Sequence, residues 1–97
     1  MANYKIVLFL KAQKELNESY KWYEKQKSGL SLKFLNQVDE SLKSISNNPE
    51  FYPVKERNYR EFVMKVYPYL KIYKIKERTN EVLIFSIFHS KRNPKLK

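Results

Sequence analysis

The feature that most restricts this chain is a change of hydrophobic period part-way along it. Between residues 11 and 46 apolar side chains recur at helical spacing, and from residue 59 onward they fall in short strand-like runs. Ala12, Leu16, Tyr20 and Tyr23 make one stripe, which predicts a helix over 11–26. Ser28-Gly29 interrupts the pattern, and Ser28 is the expected cap of the next helix. That helix is predicted over 30–46 from Phe34, Leu35, Val38, Leu42 and Ile45, and it stops at Ser46-Asn47-Asn48-Pro49. A β-prone run at 4–9 precedes the pair. Residues 49–57, with Pro49 and Pro53, read as loop.

Three strands follow, at 59–66, 69–76 and 81–88. Phe62, Met64 and Val66 share a face of the first, and Arg78-Thr79-Asn80 supplies the turn before the last. That last run is the most apolar, so it is expected inside the sheet. The fold class is therefore α+β: a strand, a helical hairpin, then a three-stranded antiparallel meander. The helices pack on one face of the sheet. With 97 residues the chain is a single domain, residues 1–97, in which 89–97 form a basic tail.

Charge is unevenly spread. The net charge is +10, of which +2 lies in residues 1–54 and +8 in residues 55–97. A field concentrated in the sheet half favours an anionic partner there. The expectation is that the sheet face away from the helices carries the basic residues of these strands. A single glycine excludes Gly-rich phosphate loops, and the lack of cysteine excludes disulfides, thiolate metal sites and cysteine nucleophiles. One histidine, His89, leaves no multi-histidine metal site, so no metal or cofactor is expected. The apolar run Ile6–Leu10 is too short for a signal peptide or a membrane span. The expected location is the cytoplasm, with no membrane partner. Of the eight tyrosines, Tyr20 and Tyr23 belong to the helical stripe and are expected in the core, whereas Tyr67, Tyr69 and Tyr73 flank Pro68 on the sheet, where they are open to exposure and to stacking on a nucleic acid. Trp22 lies off the stripe, where a cap on the hairpin and a dimer contact are equally open readings.

Several segments together resemble toxins of the RelE/ParE superfamily. Glu24-Lys25-Gln26-Lys27-Ser28-Gly29-Leu30 is similar to their helix–helix junction, as are Phe34-Leu35-Asn36-Gln37-Val38 and Ile45-Ser46-Asn47-Asn48-Pro49 to the second helix and its end. Tyr59-Arg60-Glu61-Phe62 and Pro68-Tyr69-Leu70-Lys71-Ile72-Tyr73-Lys74-Ile75 resemble the strands that follow. His89-Ser90-Lys91-Arg92-Asn93-Pro94 looks like the His-x-x-Arg-x-Pro ending of ParE-like members. The resemblance runs from Tyr4 to Pro94. It implies the toxin of a type II toxin–antitoxin module, neutralised by an acidic, partly disordered antitoxin. Charge complementarity with a basic domain fits such a partner. A homodimer, or a heterotetramer with the antitoxin, is the implied assembly.

The superfamily divides by activity, and the resemblance implies two targets. RelE- and YoeB-like members cleave mRNA on the ribosome, whereas ParE-like members poison DNA gyrase. Metal-free RNA cleavage needs a base for the 2′-hydroxyl, an acid for the leaving oxygen, and cations for the phosphorane charge. The candidates are His89 as acid or base, Glu56 or Glu61 as base, and Arg60, Arg92, Lys71 or Lys74 as cations. The nucleases carry an arginine where this chain has Leu70, and YoeB-like members end in His-Tyr where it has His89-Ser90. Both departures favour the non-nuclease branch, so the chain is read as a ParE-like inhibitor, with enzyme activity left open. The alternative is a ribosome-dependent mRNA endonuclease, and a third reading is a basic nucleic-acid-binding module. Arg60, Lys71, Lys74, His89 and Arg92 are the candidates for contact with target or antitoxin.

Overall fold

In the computed structural model, residues 3–64 and 69–89 are described. The chain runs β1 (Lys5–Leu8), α1 (Leu10–Gln26), α2 (Leu30–Asn47), a 3-10 turn (Pro49–Phe51), β2 (Val54–Glu56), β3 (Tyr59–Val63), β4 (Tyr69–Lys76), a second 3-10 turn (Glu77–Thr79) and β5 (Glu81–His89). The expected order is present, with one added strand. The sheet order is β1-β5-β4-β3-β2. The apolar β5 lies inside the sheet, parallel to β1 on one side and antiparallel to β4 on the other.

Two local expectations are corrected. Part of the segment read as loop is β2, which pairs antiparallel with β3 across Arg57 and Asn58. Both turn residues have positive φ, 51° and 68°, the geometry of a two-residue type I′ hairpin. Three residues are too few to show a strand period, and Pro53 beside them mimics a loop signal. The cap of α2 is Gly29, not Ser28: Gly29 sits at φ 86° in the left-handed region, which a side chain at Cβ disfavours.

The core forms where the helical stripes meet the sheet. Ala12 and Tyr23 of α1 and Phe34, Val38 and Ile45 of α2 are buried with Tyr69, Tyr73, Val82, Ile84 and Ile87. At one end, Tyr23, Phe34 and Tyr69 make a ring cluster, with centroids 4.8 Å and 5.0 Å apart for Tyr23–Phe34 and Phe34–Tyr69. At the other end, the buried Tyr73 hydroxyl donates to Pro49 O at 2.6 Å and ties the first 3-10 turn to β4.

One irregularity shapes both sheet faces. The β4–β5 register shifts between Ile72 and Tyr73, which pair with Ser86 and Ile84 and leave Phe85 as an extra residue. Beyond Ile84, β1 no longer flanks β5, and α1 takes over that edge. Phe9 N–H bonds Ile84 O at 3.0 Å. Glu15 Oε1 then accepts from Ile87 N at 2.9 Å and Ser86 Oγ at 2.8 Å. Glu15 Oε2 pairs with Lys11 Nζ at 3.1 Å.

Candidate functional site

The register sorts the charged residues of the sheet between its two sides. Residues directly opposite in an antiparallel pair share a face, and neighbours along a strand alternate. Arg60 pairs with Tyr73, Phe62 with Lys71, and Tyr69 with His89, so Arg60, Lys71 and His89 all lie on the helix side. Lys74 lies on the other side, opposite Leu83. The expected single basic face is therefore corrected. The period of two in β4 places Lys71 with the core tyrosines 69 and 73, not with Lys74.

Each helix-side candidate is held by its surroundings. Arg60 Nη1 donates to Tyr52 O at 2.6 Å and Glu50 O at 3.1 Å, bracing the turn before β2. His89, half-buried, meets the Tyr69 ring edge-on with centroids 5.1 Å apart. Lys71 is 0% exposed. Its Nζ lies 5.6 Å from the centre of the Phe62 ring and has no hydrogen-bond partner among the described residues. Burial lowers its pKa from the ordinary lysine value to about 7. Burial also raises the pKa of Tyr73, against a smaller opposing effect of the Arg60 charge.

On the other face, a ring-and-ammonium set comes together that the sequence did not single out. Lys74 Nζ stands 4.7 Å from the centre of the Tyr59 ring. Tyr59 meets Phe85 at 5.2 Å, and Phe85 meets Phe9 at 4.4 Å. These residues come from a helix cap, β3, β4 and the bulge in β5, so no motif joins them. Of the four, the sequence points only to Lys74; Phe9 and Tyr59 stand at the ends of β-prone runs and Phe85 lies inside one. Such a surface offers flat apolar rings and one cation to a partner.

Glu56 lies in β2, paired with Tyr59, and Leu70 in β4, paired with Val63 and Phe88. Glu61 is half-buried and pairs with Ile72 on the face away from the helices. Arg92, Ser90, Tyr67 and Val66 lie outside the described residues. Among the described residues no group of three His, Cys, Asp or Glu could hold a metal ion, and no helix is long and apolar enough to cross a membrane.

Residues 6–94 match the family model described as ParE toxin of type II toxin–antitoxin system, parDE. The chain belongs to this ParE toxin family. A chromosomal ParDE system from P. aeruginosa contains a similar fold, with TM-score 0.76 at 18% identity over 89% of this chain and 95% of that one. The RelBE2 toxin–antitoxin complex from Mycobacterium tuberculosis matches with TM-score 0.66 at 18% identity, over 92% of this chain and 93% of that one. No curated protein matches at a significant level. The matched residues include both helices, all of the sheet except Lys5, and all the helix-side candidates. It agrees with the resemblance drawn from the junction, strand and C-terminal segments.

Proposed function

We propose that this chain is the toxin of a type II module, kept inactive by an acidic antitoxin in the cytoplasm. It arrests growth by a non-nuclease route of the ParE kind, directed at DNA gyrase or replication. The observation that carries this reading is the family match over residues 6–94. The arrangement of the candidate cations among the described residues supports the non-nuclease branch. A phosphorane needs converging donors, yet Arg60 Nη1 is engaged by two carbonyls, Lys71 is buried, and Lys74 faces the other way.

The test is regulated expression of the chain, alone and with the product of the adjacent reading frame. Growth arrest relieved by the neighbour is expected, with intact mRNA and inhibited gyrase supercoiling. Cleaved mRNA that becomes intact on His89→Ala would move the protein to the endonuclease alternative. Unimpaired growth would remove the toxin reading.

A further inference from the structure

The helices leave the outer part of the sheet only partly covered. Between α2 and β3 runs a groove of about 360 Å³. Gln37, Glu40 and Ser44 line it from α2, Phe62 and Met64 from the end of the sheet, and Phe51 beside them. Its margin is apolar and exposed at Phe51, which is 73% accessible. Exposed side chains of this size and kind gain most from being covered by another apolar surface.

Directly behind this wall is Lys71. Its register partner on β3 is Phe62, and its Nζ lies over the Phe62 ring, so the side chain reaches from β4 toward the groove. The amine is fully buried without a hydrogen-bond partner among the described residues. A buried donor without an acceptor is destabilising, and methionine would fill the same space without that cost. A carboxylate arriving beside the amine would restore its charge and satisfy its donors.

We propose that the groove between α2 and β3 receives an apolar segment of the antitoxin carrying an aspartate or glutamate, whose carboxylate pairs with Lys71. Phe62 lines the groove and stands beside the amine, so the pairing requires its ring to turn aside. The amphipathic segment covers Phe51 while its acid is drawn to the buried cation. The net charge of +10 favours an acidic approach. Glu40 on the groove wall is exposed, so solvent and salt screen its repulsion. The toxin–antitoxin reading supplies only the source of the segment; the groove and amine stand without it.

Two probes test the proposal on the full chain: a short amphipathic peptide of leucine and glutamate, and its leucine–glutamine counterpart. Isothermal titration should show the glutamate peptide binding wild type at least tenfold more tightly than Lys71→Met. The glutamine peptide should not distinguish the two. Amide shifts should map to Phe62, Met64 and Ser41. In wild type at pH 8, the Lys71 side-chain NMR signals should move from the neutral toward the charged form as the glutamate peptide is added. Equal binding to Lys71→Met, no binding to either protein, or an unchanged Lys71 signal would each overturn the proposal. Failure of the adjacent-frame product to bind wild type, with the peptide results as expected, would instead count against the toxin–antitoxin reading alone.

Discussion

The Glu15 carboxylate accepts the backbone N–H of Ile87 at 2.9 Å, on the stretch of β5 that β1 does not reach. A side chain on α1 thus replaces a missing strand at the sheet edge. Ile87 is 0% exposed, so its N–H has no ready substitute in water. Glu15→Ala should destabilise the fold by about 2 kcal/mol in urea unfolding, and Glu15→Gln by less, since an amide oxygen can still accept. The exposed Glu18 is the control. Equal midpoints for Glu15→Ala and Glu18→Ala would contradict the strand-replacement role.

Lys71 makes stability depend on pH. Its folded pKa is lowered to about 7, while the unfolded lysine titrates at about 10.4. Between these values the unfolded chain binds a proton that the folded chain lacks, so stability rises with pH, by up to about 1.4 kcal/mol per unit. Below the folded value both states are protonated, and the cost of burying the charge is constant. Denaturant midpoints from pH 7 to 9.5 should rise for wild type and flatten for Lys71→Met. A parallel rise in the variant would assign the slope to other groups.

The Tyr73 hydroxyl gives the opposite slope at higher pH. Burial holds its pKa above the ordinary tyrosine value, so above about pH 10 the unfolded chain loses a proton that the folded chain keeps. Stability therefore falls there. Tyr73→Phe removes the bond to Pro49 O and should cost about 1 kcal/mol near neutral pH. It should also reduce the alkaline decline. A neutral-pH midpoint equal to wild type would show that the bond contributes nothing net.

Arg60 should behave as a brace for the Pro49–Tyr52 turn. Arg60→Ala removes donors to Glu50 O and Tyr52 O and should cost roughly 1–2 kcal/mol. Limited proteolysis should find faster cleavage near residues 49–53. An unchanged melting temperature with lost toxicity would make Arg60 a target contact instead.

The helical stripes and the strand runs at 69–76 and 81–88 were legible because each buries one face over several turns or residues. Their bounds agree closely with α1, α2, β4 and β5. β2 was hidden because three residues establish no period, and the left-handed turn at Arg57–Asn58 does not contain the glycine that would announce it. The basic half of the chain was also visible, but the face each cation occupies was not.

The sequence by itself determined the layers: which segments are helices, which are strands, and that a basic sheet half meets an apolar hairpin. Periodicity encodes this locally. Only the tertiary structure decided which cations lie together. Strand alternation puts Lys71 and Lys74 on opposite faces, but only the packing of the helices says which face is covered, and the bulge at Phe85 gathers Phe9, Tyr59 and Lys74 on one side. The bond from Glu15 to Ile87 is of the same kind, joining residues whose sequence separation is 72. Such pairings depend on strand register and on where β1 ends, and neither is written in the spacing of any one segment.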